Sequence, residues 1–304
     1  MIFLLLIAAA AINVNSLTMV TGATGRVGKL VVEELLKASK PVLALSRDPA
    51  MAATNFPISP LLRVESYDTA SISTEHTYQL IHCSADDTLL PALTATFTRN
   101  SRFRRPRTVP SIIMCSSAAV TRPGWSKSKA SRLAGAHDIP IVRLNPGGVL
   151  DKKVAAEKKL RRSRVPYTIV RPVGLKDSWT TGRLVFSQGD VAVGRTNPED
   201  LAKLLVALLD EQDATYKTFE TLTLTGYPPP RDLSRPLSGL AMDGKKSKSD
   251  SYTLLQQLLP GEEQDPTKLE MGRSYEAVDS GVVKAREPLA EPTEREKAVA
   301  KSVE

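Results

Sequence analysis

The sequence predicts an α/β fold: a doubly wound parallel sheet over residues 17–226, followed by a polar C-terminal extension over residues 227–304. Three observations predict it. Short runs of Val, Ile, Leu and Ala recur without polar alternation, which marks strands buried on both faces. Segments of helical spacing lie between these runs, and such alternation builds a parallel sheet covered by helices. The first strand and helix are joined by a turn holding three glycines. At 304 residues, 41% hydrophobic and 24% charged, the chain is long and apolar enough to bury such a core.

The elements follow in order. Residues 17–20 form a short apolar strand, and 21–28 the glycine-bearing loop. Residues 29–38 are a helix with Leu30, Val31, Leu35 and Leu36 on one side, and 41–45 a second buried strand. Strand, turn, helix and strand in so short a stretch make one βαβ unit. Further strands are expected at 61–64, 78–83, 111–115, 167–170 and 217–224. Helices are expected at 87–97, at 151–163 with Asp151 as N-cap and Val154, Ala155 and Leu160 inward, and at 198–209 opened by Asn197. The stretch 98–110 is basic and proline-punctuated and reads as a loop; 86–110 as a whole looks poor in core. After Gly226 the triplet Pro228, Pro229, Pro230 breaks the pattern. One amphipathic helix at 252–259 and a charged tail from 287 follow.

Each position of the loop from Thr21 to Gly28 has a physical role. Gly22 permits the tight exit from the strand, Gly25 lets backbone approach a diphosphate, and Gly28 lets the helix pack closely. Ala23, Thr24, Arg26 and Val27 complete the loop. A helix start offers free N–H groups and a partial positive charge to an anion. The glycines sit between a strand and a helix in the order a dinucleotide requires. An acid closing the second strand would bind the ribose 2′-hydroxyl of NAD. Here the strand ends Leu45-Ser46-Arg47, and a guanidinium matches a 2′-phosphate instead. Arg26 and Arg47 therefore favour NADP, with Asp48 keeping NAD open.

The sequence resembles an atypical short-chain dehydrogenase/reductase of the NmrA-like, NAD(P)-binding type found in plastid-bearing organisms. The likeness rests on Thr21 to Gly25 with Gly28, on Leu45 to Pro49, on Tyr67-Asp68, on Ile81 to Ala85, on Ser116-Ser117, on Lys153 to Glu157 and on Tyr167 to Pro172. It implies that Asp68 meets the adenine, that Ser84 and Ala85 line the cofactor, that Ser116 closes the fifth strand beside it, and that Pro172 and Val173 abut the nicotinamide. It also implies a catalytic helix carrying Tyr, three residues, then Lys. Matching Lys153 to that lysine puts Val149 in the tyrosine's place, and valine has no proton to give. The candidate catalytic residues are then Ser117, able to polarise a carbonyl, and Lys153. Arg122 to Trp125 and residues 186–194 are candidate substrate walls.

The expected activity is NADP-dependent oxidoreduction of a small organic substrate. The alternative is a non-catalytic NADP-binding sensor, regulator or assembly factor. The formal charge of +8 is spread over separate basic runs with no nucleic-acid motif, so no nucleic-acid partner is expected. Two cysteines, Cys83 and Cys115, make no disulfide framework, and each follows a strand and reads as a buried thiol. No Cys/His cluster suggests a metal. The apolar run 2–12 is too short to span a bilayer and suits a targeting segment over 1–16, with a plastid or secretory destination; without it the chain would be cytoplasmic.

Overall fold

The computed structural model describes residues 17–67, 77–84, 90–101, 109–230 and 232–245. The targeting segment expected at 1–16, Asp68, Ala85, the helix expected at 252–259 and the charged tail lie outside the described residues. The central sheet has eight strands: β1 (Leu17–Thr21), β2 (Val42–Ser46), β3 (Leu62–Ser66), β4 (Thr77–His82), β5 (Ile112–Cys115), β6 (Tyr167–Pro172), β8 (Gly182–Ser187) and β10 (Lys217–Thr225). Their spatial order is β3-β2-β1-β4-β5-β6-β10-β8. Every pairing is parallel except β10 with β8. Short strands β7 (Gly174–Leu175) and β9 (Arg195–Thr196) pair separately.

Alternation of side chains divides the core into two layers. Val20, Ala44, Ile81, Ile113 and Val170 face helices α1 (Arg26–Lys37) and α8 (Pro198–Ala207), meeting Val31, Leu35, Leu201 and Leu205. Met19, Leu43, Leu80, Ile112 and Ile169 face α3 (Leu90–Ser101) and α7 (Val149–Arg162), meeting Leu93, Phe97, Ala156 and Leu160. The helix α2 (Pro49–Thr54) follows β2, while α4 (Lys127–Arg132), α5 (Ala134–His137) and α6 (Pro140–Leu144) fill the connection from β5 to α7. Asn197 accepts from the backbone N–H of Glu199 and Asp200, with Pro198 at the first helical position, so α8 starts as expected. Among the described residues no helix is long and apolar enough to cross a membrane.

Several expectations are corrected. Helix α1 begins at Arg26 rather than beyond Gly28, so Gly28 lies inside it. Helix α7 begins at Val149 with Gly148 as N-cap, and Asp151 lies in its first turn, accepting from Asn145 Nδ2 at 2.7 Å. Its buried face is Leu150, Lys153, Ala156, Glu157 and Leu160; Ala155 is exposed. The sequence reading followed apolar side chains, whereas this face buries two charged ones. Helix α3, described over Leu90–Ser101, takes in part of the supposed loop at 98–110. Its apolar face at Leu90, Leu93 and Phe97 belongs to the second core layer, so part of 86–110 supplies core. Strand β8 was not foreseen. It is an antiparallel edge strand whose run, GRLVFS, is too short for periodicity to reveal.

The start of the extension is packed on the sheet domain. Helix α9 (Ser234–Ser238) gives its Leu237 carbonyl to buried Lys217 Nζ at 2.8 Å. Asp243 accepts from Arg161 Nε, Tyr167 Oη and Thr218 Oγ1.

Candidate functional site

The strand order turns back at β1, whose neighbours are β2 and β4, and ligands of open α/β sheets sit outside the carboxyl ends at that point. The glycine loop stands there. Gly22 has φ +66°, and a Cβ on it would lie 2.8 Å from the backbone of Cys83 and Ser84. The position needs glycine for its conformation and for its contact. Its N–H donates to Tyr67 Oη at 2.7 Å. Gly25 N–H donates to the Gly22 carbonyl at 2.9 Å, closing the turn. A Cβ on Gly28 would stand 2.0 Å from that same carbonyl oxygen, so loop and helix touch backbone to backbone.

Ala23, Val27 and Gly28 are buried, while Thr24, Gly25 and Arg26 are exposed. No side chain caps the start of α1, and no acid lies in its first turn. An uncapped helix start beside a glycine cradle fits a dinucleotide diphosphate. Arg26 pairs loosely with Asp177, Nε to Oδ1 3.7 Å, both largely exposed.

At the end of β2, Ser46 is buried and Arg47 exposed. Asp48, the acid that kept NAD open, is the N-cap of α2 and accepts from Met51 N–H at 3.0 Å. At the end of β4, Ser84 is half-buried.

Ser116 and Ser117 follow β5 and have different surroundings. Ser116 is buried and donates to Glu157 Oε1 at 2.6 Å. Ser117 is half-buried and donates to the Ala118 carbonyl at 2.9 Å. Ala118 N–H donates to the Pro172 carbonyl, and Val173 packs with Ala118 and Ala192. The structure thus brings Ser116, Ser117, Pro172 and Val173 together. Lys153 is buried, 8% exposed, one helical turn before Glu157 on α7.

Glu157 is the hub that sequence reasoning missed as a site residue. It accepts from Arg171 Nε at 2.9 Å and Nη2 at 2.6 Å, from Arg161 Nη2 at 3.0 Å and from Ser116. Burial pushes its carboxyl up, but Arg171 and then Arg161 and Ser116 hold it below the usual carboxylate range. Arg171 is in turn held above its ordinary value: burial works against its charge, and the bonds to Glu157 outweigh it. The available signal was an arginine inside the apolar strand run Tyr167 to Pro172, since a buried strand cation demands a partner.

The two candidate walls are tied together. Arg122 is fully buried and donates to the carbonyls of Asp190, Ala136 and Ala192 at 2.7, 2.6 and 2.6 Å. Asp190 accepts from the backbone N–H of Ala119 at 2.6 Å and of Thr121 at 2.7 Å. Arg122 Nε lies 3.7 Å from its Oδ1. Glu220, fully buried beside Asp190, is raised by burial and by that like charge. Trp125, from the same wall, carries Lys129 Nζ 4.1 Å above its ring.

Val149 starts α7 and packs its alkyl side chain against a cluster of Ala119, Val120, Val142 and Leu150. Tyr167 does not serve the crevice; its hydroxyl donates to Asp243.

Comparison with known proteins places this geometry. The NAD(P)H-binding family model matches residues 103–212. An uncharacterized chloroplastic protein of Arabidopsis thaliana is 30% identical over 224 residues, covering 69% of this chain and 77% of that protein. A short-chain dehydrogenase/reductase from Veillonella parvula, solved in complex with NADP, superposes with a TM-score of 0.55 at 14% identity, over 71% of this chain and 99% of that one. A candidate NAD-dependent epimerase/dehydratase from Bacillus halodurans gives 0.53 at 22% identity, over 74% and 100%. At these identities the structural likenesses speak for the fold.

Proposed function

The chain belongs to the NAD(P)H-binding family of atypical short-chain dehydrogenase/reductases, and on that premise we propose that it is an NADP-dependent oxidoreductase acting on a small organic carbonyl or alkene. The observation that carries the reading is the glycine cradle at the strand-order reversal, with an uncapped helix start above it. Gly22, Ala23, Thr24, Gly25, Arg26, Val27 and Gly28 hold the diphosphate, with Asp68, Ser84, Ala85, Ser116, Pro172 and Val173 along the rest of the cofactor. Arg47 and Arg26 take the 2′-phosphate. Support for NADP over NAD comes from Asp48, whose carboxylate is spent capping α2 and faces its own helix rather than a ribose.

Bound NADPH supplies a hydride. The chain's own residues manage the proton. Ser117 polarises the substrate oxygen through its hydroxyl. Lys153, buried on α7, holds the ribose and hands over a proton from Nζ. Ser116 and Glu157 fix the strand end to α7 and so set the spacing between Ser117 and Lys153. Arg122 to Trp125 and residues 186–194, tied together by Arg122, form the substrate walls.

Titration with NADPH, followed by its fluorescence, tests the first half: absence of saturable binding refutes it, and equal affinity for NADH refutes the roles of Arg47 and Arg26. NADPH consumption over carbonyl and quinone panels tests the second half. Turnover unchanged in Lys153→Ala removes Lys153 from the site. One observation favours a second reading, an NADP-binding regulator: Val149 places an apolar group in the proton donor's position, packed into a cluster. Tight binding with no turnover on any panel member selects it. A plastid location is supported by the apolar run 2–12 and by the chloroplastic relative. A fluorescent fusion to the full chain that stays outside the organelle refutes it.

A further inference from the structure

The only two cysteines of the chain meet at the floor of the crevice. Strands β4 and β5 pair in parallel with Ile81 opposite Ile113 and His82 opposite Met114. The next pair in that register is Cys83 and Cys115. Two-residue alternation puts both on the face of Ile81 and Ile113, and both belong to that core layer. Neither is in a disulfide, and each thiol is the strongest influence on the other's ionisation. Neighbouring strands run about 4.8 Å apart, inside the roughly 4.4–6.8 Å between Cα atoms that a disulfide spans. We propose that Cys83 and Cys115 are a reversible oxidation site, closed to a disulfide by a small peroxide.

The chemistry suits this pair better than two inert core thiols. Burial alone would raise both. Instead Cys83 holds Cys115 below the ordinary thiol value, with the Lys153 charge adding to its effect. Cys83 is pushed well above, first by Cys115 and then by burial. In this proposal Cys115 is the nucleophile and Cys83, the more exposed of the two, is the resolving thiol. Cys115 is 8% exposed, so only a small oxidant reaches it. The Cys115 thiolate attacks one peroxide oxygen, breaking the O–O bond, forming a sulfenic acid and releasing hydroxide. The Cys83 sulfur then displaces water from it, and the S–S bond forms. Overall, two thiols and hydrogen peroxide give a disulfide and two waters. The site touches the cofactor loop directly: the Cys83 carbonyl carbon leaves no room for a Cβ on Gly22. The inference rests on the two thiols and does not depend on the proposed activity.

With two cysteines in all, one experiment is unambiguous. The reduced full chain is exposed to hydrogen peroxide, alkylated with N-ethylmaleimide and digested for peptide mass analysis. The expected product is a cross-linked peptide pair, lighter by two hydrogens, carrying no alkyl group and reopened by dithiothreitol. In Cys83→Ser, Cys115 is expected to stop at a sulfenic acid trapped by dimedone. Both cysteines still alkylated after oxidation, a covalent dimer between chains, or dimedone labelling of Cys83 in Cys115→Ser as fast as of Cys115 in Cys83→Ser each overturn the proposal. The wild-type measurement needs no variant to fold.

Discussion

Glu157→Gln removes one charge from a deeply buried ion pair of the site and keeps its shape. The Glu157 side chain is 1% exposed and that of Arg171 6%, so water cannot replace the lost partner. Two short bonds join them, at 2.9 and 2.6 Å. Breaking such a pair from one side costs about 3–5 kcal/mol. Asp190 and Glu220 still act on Arg171, which puts the expectation at the lower end, about 3 kcal/mol. With a urea slope of about 3 kcal/mol/M the unfolding midpoint falls by roughly 1 M. The double variant Glu157→Leu, Arg171→Met removes both charges and is expected to lie within about 1 kcal/mol of wild type. The pH dependence has a definite sign. The folded-state carboxyl lies below the usual glutamate value of 4.5, so its stabilisation is complete above 4.5 and is lost as pH falls through the lowered folded value. The gap between wild type and Glu157→Gln should therefore close in acid. Glu220, shifted the other way, is present in both proteins and largely cancels. Urea melts at several pH values measure this. A Glu157→Gln protein within about 1 kcal/mol of wild type at neutral pH, or a gap that widens in acid, would refute the reasoning.

Gly28→Ala drives a Cβ to 2.0 Å from the Gly22 carbonyl oxygen, and backbone must move. An overpacking cost of about 2 kcal/mol exceeds the gain of about 1 kcal/mol in helix propensity, and the displaced loop should bind NADPH at least tenfold more weakly, roughly 1.4 kcal/mol; unchanged saturation in the fluorescence titration contradicts the cradle. Arg122→Met leaves three buried carbonyls without their donor, at about 1 kcal/mol or more each, so a loss on the order of 3 kcal/mol is expected. Amide exchange should accelerate at Ala119 and Thr121, whose N–H groups Asp190 holds; unaltered protection there separates Arg122 from the wall. Asn197→Ala removes the cap of α8 and should cost about 1 kcal/mol in a urea melt, with Asn197→Asp restoring most of it.

What the sequence by itself determined is local in the chain. The βαβ unit was legible because its constraints act within a few residues: buried runs for β1 and β2, helical spacing for α1, and glycine where backbone meets backbone. Asn197 and Pro198 marked the start of α8 for the same reason. Helix α7 was legible through its spacing, although its start was misplaced because Asp151 looked like a cap, whereas the chain enters the helix through the left-handed Gly147 and Gly148.

What only the tertiary structure decided lies between strands far apart in sequence. The Ser116–Glu157 bond joins residues 41 positions apart, and Arg122 reaches Asp190 across 68. Cys83 and Cys115 read singly as buried thiols, and register alone made them neighbours. No periodicity encodes such meetings, because strand order and register are set by the packing of the whole sheet. The glycine loop could be read in isolation because it supplies its own geometry. The buried charges could not, since each is tolerable only with a partner that another part of the chain delivers.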